Sequence, residues 1–438
     1  MSTFHHLDVA STRRGFSRRS FLHYVSAGAV AAGSLNFRDL MSVQAGEIRK
    51  EGLSLILLWM QGGPSQFETF DPKPGTETGG PTQAIDTAVP GIRIAQGWEQ
   101  TARQMQDIAL IRSMTNKEGE HIRATYQMHT GYIPTGALRH PSLGCSIARE
   151  IAPPDHDLPA VVSIGPGRGG GGQQLVGSGF LGVDVDPFLV ENPGNLPRDV
   201  ALPTQTPRFE RRLGLLGNLE NDFAARGGEV AVADHKKLYE KTRRLILSPE
   251  VKTFEFREES QATKDQYGDS DFGRGCLLAR RLVEAGVTFV EVRSNGAGRN
   301  WDTHQDNFKQ VAENAKVVDP AFAALVADLK QRGMLEKTLV VWMGEFGRTP
   351  RINPNSGRDH YPRVFSAALA GGGIRGGQVY GASTDDGAAI KHDPVSAPDL
   401  FCTICKSLKV DPRKENVSPI GRPLKIVDGG KPVDKLFG

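Results

Sequence analysis

The chain has 438 residues, 38% of them hydrophobic and 24% charged, which is too apolar for a disordered polymer. No apolar run reaches the roughly 18 residues a bilayer-spanning helix needs, so stable membrane insertion is not expected. The formal charge of +3 sits wholly in residues 1–45, where Arg13, Arg14, Arg18, Arg19 and Arg38 face only Asp8 and Asp39. The near-neutral remainder gives no reason to expect nucleic acid or an anionic membrane as partner.

Residues 1–45 read as a leader. Ser17-Arg18-Arg19-Ser20-Phe21-Leu22 precedes an apolar, Ala- and Gly-rich stretch from Tyr24 to Leu35, the order of charged, apolar and small-residue regions in a signal peptide. The arginine pair with Phe-Leu marks the twin-arginine route, and a cleavage site at Val43-Gln44-Ala45 would leave a mature chain from Gly46. The expectation is export in the folded state to the periplasm or another extracytoplasmic space. Four cysteines in so long a chain make no disulfide scaffold. Cys402 and Cys405 form a C-x-x-C inside an apolar helical stretch and read as core residues.

In chain order, Leu53 to Met60 is a continuous apolar run closed by Gln61-Gly62-Gly63-Pro64, the pattern of a strand covered on both faces. Similar strands are predicted at Ile108 to Arg112, Ala160 to Ile164, Val287 to Val292, Thr338 to Met343 and Val364 to Leu369. The glycine tract Gly165 to Gly172 opens no helix and reads as a loop, not a phosphate cradle. Residues 208–246 are charged and helical in pattern. Phe272 to Ala285 is a helix ended by Gly286, and Asp319-Pro320 reads as the start of another that runs to Gly333. Helices alternating with buried strands predict one α/β domain over residues 46–438, with a mainly parallel sheet between helical layers.

Ligands of such sheets bind beyond the carboxyl ends of the strands, and polar residues gather there. Glu68 and Asp71 follow the first strand. The second leads to Glu118, Glu120 and His121, then Tyr126 and His129. Asn295-Gly296 and Trp301-Asp302-Thr303-His304 follow the Val287 strand, and Gly344-Glu345-Phe346-Gly347-Arg348 follows Met343. Arg358-Asp359-His360-Tyr361 precedes the last strand. Carboxylates with a few imidazoles suit a divalent metal such as Zn, Mn, Mg or Ca. Asp302, His304, Glu345 and His360 are the expected ligands, and His121 a base or extra ligand. Arg348 and Arg358 would neutralise an anionic substrate. Asp359 could orient His360 or bind metal. His129 reads as structural, and Ser65 and Thr115 are hydroxyls without a nucleophile signature.

The segments LLWMQGGPSQFETFDPKPG, ATYQMHTGY, NWDTHQDNF, GEFGRTPRIN and GRDHYPRVFSAALAGGGIRGGQVYG resemble the bacterial family called domain of unknown function 1501. That family in turn resembles a branch of the alkaline phosphatase and sulfatase superfamily. The resemblance implies a mainly parallel sheet between helical layers, with a metal site at the strand ends. Leu329 to Gly347 repeats a superfamily layout of helix, Thr-led strand and metal-ligand turn, with Glu345 at an Asp position and Phe346 at a His position. Gln61 stands where the first strand usually ends in an Asp ligand, and His121 falls where sulfatases carry their modified nucleophile. These departures argue against a double-metal site and against a covalent phospho- or sulfo-enzyme. Two readings remain open: a metal-dependent hydrolase of sulfate, phosphate or related anionic esters, of small molecules or polysaccharides, and a non-catalytic scaffold retaining the fold. A redox module built on the C-x-x-C has little in its favour.

Overall fold

The computed structural model describes residues 51–136, 138–166, 176–197, 200–201, 204–294 and 300–438. The leader, most of the Gly165–Gly172 tract and Asn295-Gly296 lie outside the described residues. Nine strands form one sheet: β1 (Ser54–Met60), β2 (Ile108–Thr115), β3 (Val161–Ile164), β4 (Phe188–Val190), β5 (Phe289–Ser294), β6 (Thr338–Met343), β7 (Phe365–Ala370), β8 (Gln378–Tyr380) and β9 (Val395–Ser396). Their spatial order is β8-β2-β7-β6-β1-β5-β3-β4, with β9 also pairing β2. β7 runs antiparallel to both β6 and β2, and every other pairing in the sheet is parallel. The mainly parallel α/β sheet read from the sequence is therefore present.

β1 lies at the centre and shows why its sequence is apolar without alternation. Ile56, Leu58 and Met60 enter one core, with Leu278 and Phe322. Leu55, Leu57 and Trp59 enter a second, with Ile147 and Phe401. Both faces of the strand are buried, so its positions are apolar except Ser54, whose hydroxyl is satisfied by Thr338. The longer helices are α1 (His121–Thr130), α2 (Leu143–Ile151), α3 (Thr206–Phe223), α4 (Glu229–Leu247), α5 (Asp271–Glu284), α6 (Asn307–Gln331) and α7 (Ala397–Ser407), and all of these but α3 supply the cores. α5 and α6 cover the first face, and α1, α2 and α7 the second. α3 and α4 form a hairpin through a π-helical turn at Ala224–Gly228. Cys402 and Cys405 are buried, unpaired residues of α7.

One predicted boundary is corrected. Asp319-Pro320 does not open a helix; both lie inside α6, which runs unbroken from Asn307 to Gln331. The Asp319 carboxylate caps a different element. It accepts the backbone N–H groups of Gln100 (2.9 Å) and Thr101 (2.7 Å) in the short helix Glu99–Arg103. The N-cap reading fails because the helix begins earlier, at Asn307, and a carboxylate in its interior can serve the free N–H groups of a distant helix instead.

Candidate metal centre

The ends of β1, β5 and β6 lie side by side because β1 pairs in parallel with both neighbours. The loops that leave them meet at one edge. After β1 the chain turns at Gly62, φ +111, where a Cβ would lie 2.6 Å from the backbone nitrogens of both Trp301 and Asp302. Only glycine allows the loop bearing Asp302 to come so close. Gly357 plays the same part for the last segment, since a Cβ there would lie 1.9 Å from the His304 carbonyl oxygen. His360–Tyr361 then pairs antiparallel with Gly347–Arg348. Glu120 caps α1 by accepting the N–H groups of Ile122 and Arg123, which sets His121 as its first residue.

These loops bring three imidazoles to one carboxylate. Asp302 Oδ1 lies 3.1 Å from His304 Nε2 and 3.2 Å from His360 Nε2, and the two Nε2 atoms are 3.1 Å apart. On the other oxygen, His121 Nε2 lies 3.2 Å from Asp302 Oδ2. That nitrogen is buried and has no hydrogen-bond partner. His121, Asp302 and His360 offer ligand atoms within 4.8 Å of one another. Phe346 forms the floor, its ring centroid 5.0 Å from that of His121 and 4.5 Å from that of His360.

The far nitrogen of every imidazole is tied down. His121 Nδ1 meets Glu345 Oε1 at 2.7 Å, His304 Nδ1 meets Asp359 Oδ1 at 2.8 Å, and His360 Nδ1 meets the Gly119 carbonyl at 2.8 Å. A carbonyl or a carboxylate oxygen accepts here, so each Nδ1 carries a proton and each Nε2 is turned to the common point, where it can ligate a cation once any proton on it has left. Two lone pairs at 3.1 Å repel unless a proton or a cation lies between them. The triangle of Asp302, His304 and His360, with sides of 3.1 to 3.2 Å, has the ligand spacing of about 3.3 Å expected around zinc with bonds of about 2.0 Å. Carboxylate- or carbonyl-held imidazoles are the usual second layer of such sites. The donor set fits a divalent ion.

Within the cluster the imidazoles and carboxylates also act on one another's charge. Burial alone would lower the His121 pKa, but Asp302 and Glu345 overcome it and raise it to about 9. Burial would raise that of Asp302, yet His121, His360 and Arg348 hold it far below the usual carboxylate range. His121 is raised above its ordinary 6.5, so its stabilisation is complete below about pH 6.5 and is lost as pH rises through 9, a loss of roughly 2–3 kcal/mol. Chelated protein should therefore melt at a falling temperature from pH 6.5 to 9. A bound ion must displace that proton, so zinc-supplemented protein should show the opposite trend, the gap between the two widening with pH. Parallel melting curves across this range would contradict the assignment.

Several expected site residues make contacts other than those expected of them. Glu345, expected as a ligand, is wholly buried and sits behind His121, where its Oε1 also accepts the Gly62 N–H at 2.9 Å. Its Oε1 holds the imidazole of His121, while its Oε2 is buried without a hydrogen-bond partner. Arg348 and Arg358, expected to neutralise substrate, are wholly buried. Arg348 donates to Gly62, Gly63, Trp301 and Arg358 carbonyls and to Asp302 Oδ1 (2.7 Å). Arg358 pairs with Glu68 at 2.9 Å, donates to the Thr78, Thr349 and Pro350 carbonyls and lies over the Phe67 ring. Backbone carbonyls take most of the donors of both guanidiniums, and one carboxylate pairs with each. Asp359 orients His304, not His360. The carbonyl of Gly119 was missed, and no side-chain pattern could reveal a backbone acceptor. His129 is structural, with Nε2 3.0 Å from the buried Glu291 carboxylate. Ser65 is fully buried.

Residues 53–437 match the family described as "Protein of unknown function (DUF1501)". The chain belongs to that family. No curated protein matches it significantly. Among solved structures it is similar to a sulfatase from Pseudoalteromonas sp., at 14% identity and TM-score 0.40, covering 90% of this chain and 76% of that one. It is also similar to an alkaline phosphatase superfamily protein from Vibrio parahaemolyticus, at 13% and 0.38, covering 82% and 67%. A phosphonate monoester hydrolase of Agrobacterium radiobacter matches at 10% and 0.37, covering 88% and 77%. Family membership thus carries no activity with it.

Proposed function

We propose that this chain is an exported, metal-dependent hydrolase of sulfate, phosphate or related anionic esters, acting outside the cytoplasm after twin-arginine export. The observation that carries this reading is the convergence of three Nε2 atoms, each with its Nδ1 already tied, on the Asp302 carboxylate. Asp302, His304 and His360 would hold one divalent ion, with His121 as a further ligand on the other carboxylate oxygen. Such an ion would supply Lewis acidity toward a developing oxyanion. The chain's own groups fix everything around it. Glu345 and Asp359 orient His121 and His304, the Gly119 carbonyl orients His360, and Phe346 excludes water from beneath. Ser65 is buried, and none of the described residues that form the cluster carries a hydroxyl or thiol, so water is the attacking group in this reading.

The competing reading, a scaffold with a metal-free knot, draws on Arg348, which already partners Asp302 at 2.7 Å. Elemental analysis separates the two. Purified protein should contain about one zinc or other divalent ion per chain, and His360→Ala should contain almost none. A wild-type protein without bound metal, melting identically with and without chelator, would leave only the scaffold.

A further inference from the structure

We propose that the outer face of helix α3 docks on an anionic lipid surface. α3 packs on α4 and on the turn between them, and of its own residues Glu220 alone is buried. The side toward α4 is satisfied: Glu220 meets His235, Glu210 meets Arg243 and Asn221 meets Lys236. At 100° per residue, Arg208, Arg211, Arg212, Leu215, Leu219 and Phe223 fall within an arc of about 120° on the opposite side. Leu215, Leu219 and Phe223 are 66%, 69% and 58% exposed. An 18-residue helix that turns its apolar stripe to water lacks the burial that normally sustains a helix.

The charge on this face identifies what covers it. Arg208, Arg211 and Arg212 at one end, and Arg226 in the turn at the other, form no ion pair among the described residues. By contrast, the basic residues of α4 are engaged, Lys237 and Lys241 with Asp184 and Arg244 with Glu240. Between Thr206 and Leu247 the chain has nine basic and six acidic side chains, a local excess hidden by the near-neutral total. A second copy across a two-fold axis would set these arginines against each other, with Asp222 as the one acid on the arc. A hydrated polyanion would leave the two leucines and the phenylalanine in water. An anionic bilayer serves both, taking the apolar side chains at the acyl boundary while the flanking arginines reach the headgroups. No helix among the described residues is long and apolar enough to cross a membrane, so α3 would lie along the surface.

Hydrogen–deuterium exchange of the full chain tests this locally, so that lipid binding by the basic leader does not enter the readout. Vesicles of equimolar phosphatidylglycerol and phosphatidylcholine should slow exchange over Thr206–Phe223 at least tenfold. Phosphatidylcholine alone should not, and added salt should reverse the effect. Arg211→Glu/Arg212→Glu and, separately, Leu219→Gln/Phe223→Gln should each abolish the protection; all four positions are exposed, and unchanged circular dichroism checks the fold. Lack of protection on anionic vesicles, equal protection in the variants, or protection that rises with protein concentration without lipid would overturn the proposal, the last in favour of self-association.

Discussion

Replacing Asp302 with Asn is expected to lower zinc affinity at least ~100-fold and to destabilise the metal-free chain by ~3 kcal/mol. The shape is retained and only the charge is lost. That charge is shared by Arg348 at 2.7 Å and by His121, His304 and His360 at 3.1 to 3.2 Å. Each would be left beside a neutral amide in a half-buried cleft. His121 is raised to about 9 partly by this carboxylate, so its titration should move down toward the ordinary histidine range, visible by NMR. Zinc titration and chemical denaturation measure the rest. An Asp302→Asn protein that binds zinc as wild type does would remove the carboxylate from the centre of the site.

Arg348→Met is expected to cost more, about 3–5 kcal/mol, with the melting temperature lowered by roughly 10 °C. Methionine fills much of the volume but leaves the carbonyls of Gly62, Gly63, Trp301 and Arg358 without their donor. Because typical folds hold only about 5–15 kcal/mol, the variant should be close to failing. Arg348→Lys should recover little, since one ammonium cannot reach carbonyls from several loops. Arg358→Met provides the contrast. It breaks an equally buried pair with Glu68, so it should lower stability comparably while leaving zinc affinity unchanged in whatever protein folds. Equal loss of zinc affinity in both variants would show that the loops respond as one unit.

The sheet was legible because its strands are buried on both faces and so read as unbroken apolar runs, as β1 and β6 do. The edge where polar residues gather was legible for the same reason, since strand ends are where a parallel sheet opens. Assigning roles within that edge was harder. Glu345 and Asp302 are both carboxylates just beyond strands, and composition cannot say that one is wholly buried behind an imidazole while the other faces three. Arg348 and Arg358 read as anion receivers because guanidinium groups so often are. That their partners are backbone carbonyls depends on loop paths set by Gly62 and Gly357, which leave no mark in the pattern of side chains. Asp319 shows the same limit, its capping role real but directed at a helix more than two hundred residues upstream.

The position of β1 bears on how the chain comes to fold. Its hydroxyl Ser54 meets Thr338 across 284 residues of sequence, and both of its partners, β5 and β6, are synthesised far later. Until then the central strand has two bare edges, with only the helices made before them available to cover its faces. Such long-range pairing slows folding and exposes sticky intermediates. A nascent chain that stalls before Thr338 therefore holds its middle open, and pairing of the central layer must wait until Met343 of the 438 residues has been made.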